Sequence, residues 1–191
     1  MSPLPPTPGQ TVGPFFGCAL PYPRCNELVD VGTPAALRLH GVVTDGAGAP
    51  IPDALVEIWQ ADPSGTVPAQ PGSVQRDGTF TGWGRAATDR EGRYWFRTQE
   101  PGPTGPGRPG FFAVTVFARG LTDRLFTRAY LPDDGAALAA DPLLVGLEPD
   151  RRASLLTVRE NPDVLRFDIR LQGEEETVFL TFRAGAPDRD A

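Results

Sequence analysis

The chain has 191 residues, 40% of them hydrophobic, with 22 Gly and 22 Pro, a formal net charge of −6 and only one histidine. That length fits one domain with a substantial core. No run of apolar residues approaches a membrane span, and an acidic chain without a basic stripe speaks against nucleic acid as a partner. All 18 basic residues are arginine, which removes Schiff-base, lysine-nucleophile and P-loop chemistry.

Met1 to Thr11 has no basic charge and no apolar run, so it reads as no signal peptide and the cytoplasm is the expected location. Residues 1–35 read as an arm, because Pro3, Pro5, Pro6, Pro8, Pro14, Pro21, Pro23 and Pro34 interrupt regular pairing. Its apolar Val12-Gly-Pro-Phe-Phe16 is expected to lie on the core or on a partner. Cys18 and Cys25 have no second Cys/His pair with which to build a zinc site. They read as small buried hydrophobes or a free thiol.

Period-two patterning starts at Ala36. Leu37–Val43, Ala54–Gln60, Gly84–Thr88 and Arg93–Thr98 are expected strands. Asp45-Gly-Ala-Gly48 and Asp89-Arg-Glu-Gly92 are expected turns, and 61–78 is a long irregular connection. A Pro/Gly-rich loop, Glu100 to Gly110, leads into Phe111–Ala118, whose two faces are both apolar. This predicts a central strand buried from two sides. Arg124–Leu131 alternates again; 136–147 and 149–154 are expected to hold short helices around Asp141-Pro142 and after Pro149. Val164–Leu171 and Thr177–Phe182 are predicted to form a closing hairpin around Gly173. Eight or so short strands joined by turns predict an all-β fold, a β-sandwich or barrel, over 36–183 in a single domain, 1–191, with a tail at 184–191.

His40 lies in a strand, and none of Ser2, Ser64, Ser73 and Ser154 occupies a nucleophile elbow, so a hydrolase triad is not expected. Gly41–Val56 followed by Ala87–Phe96 suits several prealbumin-like modules, which leaves open a non-enzymatic binding or carrier module.

A longer string is more particular. Leu55-Val-Glu-Ile-Trp-Gln-Ala-Asp62, Gly82-Trp-Gly-Arg through Phe96-Arg-Thr98 and Pro101-Gly-Pro103, in this order, resemble the intradiol ring-cleavage dioxygenases, and Thr7–Phe16 and Phe117-Ala-Arg-Gly120 narrow the match further. The resemblance covers residues 7–183. It implies an all-β, prealbumin-like β-sandwich of the intradiol dioxygenase type and an aromatic-catabolic oxidoreductase. Catalytic chains of that family hold non-haem Fe(III) through two tyrosines and two histidines. In this sequence the matching positions are Val67, Thr104, Phe111 and Ala113. The resemblance therefore implies no metal, no cofactor and no catalytic residue in this chain.

Heteromeric members of the family pair such an iron-free chain with a homologous catalytic beta chain. That partner holds Fe(III) and cleaves 3,4-dihydroxybenzoate (protocatechuate) with O2, and the heterodimers assemble into larger oligomers. The resemblance carries substrate contacts onto Thr11, Gly13 and Pro14 in the arm and onto Arg128. A guanidinium offers a planar fork to the substrate carboxylate. The same motif position also allows Arg128 to sit at this chain's own emptied site. Arg108 matches a catalytic-chain arginine and is expected to be structural here.

Overall fold

The computed structural model describes residues 16–68 and 79–182. Strands β1 (Ala36–Thr44), β2 (Leu55–Trp59), β3 (Trp83–Ala87), β4 (Arg93–Gln99), β5 (Phe111–Phe117) and β6 (Leu125–Tyr130) fall where alternation predicts them. The helix α1 (Phe16–Ala19) precedes them, and α2 (Gly135–Ala140), α3 (Pro142–Val145) and α4 (Pro149–Ala153) follow. The chain then adds β7 (Val158–Asn161), β8 (Val164–Arg166) and β9 (Ile169–Arg170).

The strands form two facing sheets. One has the order β4-β1-β8-β7, with β9 also pairing β1, and the other has the order β3-β2-β5-β6. Leu37, Leu39 and Val43 of β1, Tyr94 and Phe96 of β4, and Leu165 and Phe167 meet Val56, Ile58, Phe112, Val114 and Val116 in one core cluster. Each such side chain, wholly removed from water, stabilises by about 1.5–3 kcal/mol before entropy is counted. The sheets are joined at one corner by residues 25–28. Arg85 N–H of β3 donates to Cys25 C=O at 2.8 Å, and Leu28 N–H donates to Arg97 C=O of β4 at 2.7 Å. Phe16, Cys25, Leu28 and Val29 are buried, so this part of the proline-rich segment lies on the chain's own core.

Two expectations need correcting. First, β5 is central, between β2 and β6, but only Phe112, Val114 and Val116 face the core. Phe111, Ala113, Thr115 and Phe117 are half-buried on the outer face of the sheet. Apolar composition on both faces reflects a second, smaller cover rather than a second sheet. Tyr130, Leu144, Leu155 and Val178 form a separate buried cluster there, with Phe111, Leu138 and Leu156 packed on it. Second, 164–171 and 177–182 meet only at the turn, where Thr177 N–H donates to Arg170 C=O at 3.0 Å, and do not pair on into the predicted hairpin. β8 pairs in parallel with β1 and antiparallel with β7, while Leu180 N–H donates to Phe126 C=O of β6 at 2.7 Å. The last segment thus crosses to the other sheet.

The break between β8 and β9 has a local cause. Tyr94 Oη donates to Phe167 C=O at 2.5 Å, drawing that carbonyl out of the ladder toward Gly41. A Cβ on Gly41 would lie 1.8 Å from the same oxygen. Asp168 Oδ1 replaces a backbone acceptor for Val42 N–H at 3.0 Å, and pairing with β1 resumes at Val43 and Ile169.

Candidate functional site

The outer face of the second sheet carries the positions that matter. Its cross-strand register sets Trp83 beside Trp59, Trp59 beside Ala113 and Ala113 beside Arg128. One step along, Phe111 pairs with Tyr130. The odd-numbered residues of β5 and the even-numbered residues of β6 are therefore on one surface, as a period of two requires.

The loops bring the remaining positions toward this face. Asp62 accepts from Ser64 N–H and Thr66 N–H, both at 2.9 Å, and from Ser64 Oγ at 2.6 Å. These bonds, Ser64 first, hold its carboxyl below the ordinary aspartate range. Gly102 N–H donates to Asp62 C=O at 2.9 Å, tying the turn to the Pro101–Pro103 loop. Gly65, at φ +86°, lies where a Cβ would stand 2.0 Å from Pro103 C=O. Only glycine allows that approach. Val67, half-exposed at 50%, and the exposed Thr104 thus sit on two loops that are bound together. Arg108 is exposed just before β5.

Arg128 lies against Phe111. Its guanidinium carbon is 4.4 Å from the Phe111 ring centroid, and its Nη1 donates to Tyr130 Oη at 3.0 Å. The Phe111 and Tyr130 rings are tilted at 47° with centroids 5.5 Å apart. Tyr130, with 0% exposure, donates in turn to Asp141 Oδ1 at 3.2 Å. Burial raises the Tyr130 phenol above the usual tyrosine range, outweighing the opposite pull of Arg128. It therefore stays neutral and can accept from the arginine while donating to the carboxylate. Asp141, 4% exposed, also accepts from Leu143 N–H and Leu144 N–H and so caps α3, with Pro142 at its first turn.

Of the sequence-derived site residues, Thr11, Gly13 and Pro14 lie outside the described residues. Arg128 is the one the structure describes. It stands across from Ala113 and over Phe111, two of the positions that the resemblance matches to iron ligands. Tyr130 and Asp141 were not singled out by sequence reasoning. The signal for Asp141 was present, since Asp-Pro before an apolar run is a helix start. Nothing local linked it to Tyr130.

The four positions that the resemblance matches to iron ligands present two hydrocarbon side chains, a methyl and one hydroxyl in Val67, Phe111, Ala113 and Thr104. A guanidinium already lies on Phe111. Neither the donor set nor the local charge suits a ferric ion, which needs anionic or imidazole ligands. His40 is remote, on β1 of the other sheet, where its Nε2 is 2.9 Å from Glu160 Oε2. Among the described residues there is no group of three or more His, Cys, Asp or Glu side chains able to hold a metal ion. Among the same residues no helix is long and apolar enough to cross a membrane.

Two facing sheets, two loops tied at Gly65 and a β5 face that carries the former ligand positions define a class. A family model described as a dioxygenase matches residues 13–173, and the chain belongs to the intradiol ring-cleavage dioxygenases. Within that family it is 38% identical to the protocatechuate 3,4-dioxygenase alpha chain of Burkholderia cepacia, over 94% of this chain and 99% of that one. The beta chain from the same organism is 34% identical over 83% of this chain and 74% of its own length. Among solved structures, the dioxygenase domain of a dioxygenase–carbohydrate-binding protein fusion from Streptomyces sp. SirexAA-E superposes with a TM-score of 0.56. It is 29% identical and covers 88% of this chain and 99% of that one. The match extends well beyond the Gly41–Phe96 stretch.

Proposed function

We propose that this chain is the iron-free alpha subunit of a protocatechuate 3,4-dioxygenase. In this reading it pairs with a homologous beta subunit and completes the substrate pocket there. The partner supplies Fe(III) and the site of O2 chemistry, and 3,4-dihydroxybenzoate is opened to 3-carboxy-cis,cis-muconate. The observation that carries the reading is the loss of all four ligand positions in a chain similar to an alpha chain along nearly its whole length.

Thr11, Gly13 and Pro14 form part of the pocket wall in this proposal, with Gly13 permitting close backbone approach. Arg128 reads the carboxylate. Apart from the bond to Tyr130, its remaining N–H groups make no hydrogen bond among the described residues, which leaves edge for a carboxylate. The heterodimers assemble further, in the cytoplasm.

The chain purified alone is expected to be colourless, iron-free and inactive, and activity is expected once the beta chain is co-expressed. A stoichiometric ferric tyrosinate band from this chain alone would overturn the proposal. In the assembled enzyme, Arg128→Ala should raise KM for 3,4-dihydroxybenzoate by roughly 10–100-fold, as expected for one charged hydrogen bond. Catechol, which has no carboxylate, should be affected far less. Equal losses for both substrates would remove Arg128 from carboxylate recognition.

A further inference from the structure

Arg128 is held by two direct contacts, Phe111 and Tyr130, and a third residue, Asp141, holds one of them. The guanidinium carbon lies over the Phe111 ring, 4.4 Å from its centroid, within cation–π range. Tyr130 Oη accepts from Nη1 at 3.0 Å. The Asp141 carboxylate accepts the phenol's hydrogen bond at 3.2 Å and is itself anchored by two backbone N–H groups of α3. A buried phenol could be replaced by a phenyl ring for packing alone. The hydroxyl is retained in a fully buried place where it must be satisfied on both sides, and it is satisfied by a cation and an anion.

We infer that Phe111, Tyr130 and Asp141 are positioning residues that fix the Arg128 guanidinium in the orientation that meets a benzoate-type carboxylate. The inference rests on the proposed function, because it takes Arg128 to be a substrate contact. Its physical content is preorganisation. A free arginine side chain samples many rotamers and must give them up on binding. A ring face and a phenol oxygen together fix both the plane and the rotation of the fork. Bidentate recognition depends on those two quantities. The phenyl ring at 111, standing where a catalytic chain has an iron ligand, thereby becomes the platform for a binding group.

The test uses the assembled enzyme. Tyr130→Phe keeps the ring and removes the relay, and Phe111→Leu keeps bulk and removes the π face. Each should raise KM for 3,4-dihydroxybenzoate by about three- to tenfold with little change in kcat, a smaller effect than losing the charged contact itself. Catechol should respond far less. In an Arg128→Ala background Tyr130→Phe should add nothing to KM, since the group it positions is gone. An undiminished Tyr130→Phe effect in that background would mark a merely structural role and overturn the inference.

A crystal structure of the assembled Tyr130→Phe enzyme separates the two levels of the argument. If Arg128 keeps its rotamer, the positioning inference is overturned while the carboxylate reading stands. If Arg128 moves and substrate discrimination does not change, positioning is supported and the carboxylate reading fails.

Discussion

Gly41→Ala should be among the most damaging single-methyl additions in this chain. An ideal Cβ at residue 41 would stand 1.8 Å from Phe167 O, 2.6 Å from Phe167 C and 3.0 Å from Tyr94 Oη. Contact with backbone that close cannot be relieved by a rotamer change, so β1 and the Phe167 segment must separate by more than an ångström. Overpacking of this kind costs about 1–3 kcal/mol. The separation also strains or breaks the buried Tyr94–Phe167 bond of 2.5 Å, adding about 1–3 kcal/mol for a carbonyl left unpaired. A loss of about 2–6 kcal/mol follows, a large share of the ~5–15 kcal/mol that stabilises a typical domain. Urea unfolding of the purified chain reads it as a lower midpoint. Tyr94→Phe alone should cost about 1–3 kcal/mol, and the double variant should fall short of additivity because both changes destroy the same bond. A Gly41→Ala loss below about 1 kcal/mol, with an unchanged m-value, would refute the account of why the β8–β9 strand is broken.

The same tyrosine gives a pH signature. Burial, with Asp168 nearby, raises the Tyr94 phenol well above its ordinary value. The folded chain therefore keeps a proton that the unfolded chain loses. Stability should be unaffected by this group below the unfolded-state value of about 10 and fall above it, by up to about 1.4 kcal/mol per pH unit. Tyr94→Phe should flatten that alkaline decline, as followed by urea midpoints across pH; a decline of equal slope in the variant would contradict the assignment. Asp141→Ala should cost about 1–3 kcal/mol through loss of the α3 cap and of the Tyr130 partner, whereas Asp141→Asn, which retains a capping oxygen, should recover most of it. An alanine variant as stable as the parent would show that neither bond contributes.

How far the sequence reached depends on the range of the forces involved. Alternation located β1 to β6 because side-chain direction in a strand is set by adjacent residues. The Asp134 and Asp141 caps and the Pro142 and Pro149 starts are equally local, so the short helices fell where turn chemistry places them. β7 escaped notice because Val-Arg-Glu-Asn has one apolar residue and all but Arg159 are exposed, which leaves no period to read. The closing hairpin failed because Val164–Arg170 had a better partner elsewhere. Gly41 admits the Phe167 carbonyl, and β1 offers a parallel ladder.

For the site, the sequence by itself determined the residue types at the positions that the resemblance matches to iron ligands. Ligand chemistry belongs to residue types, and Val67, Thr104, Phe111 and Ala113 lack it whatever the fold does. What stands there instead was decided by the tertiary structure. Arg128 and Phe111 are seventeen positions apart in the chain, and only the β5–β6 register lays the guanidinium on the ring. Asp141 joins them only because α3 folds back over the outer face of the sheet, bringing its cap to Tyr130. Such contacts arise from packing between elements, and no local pattern encodes them.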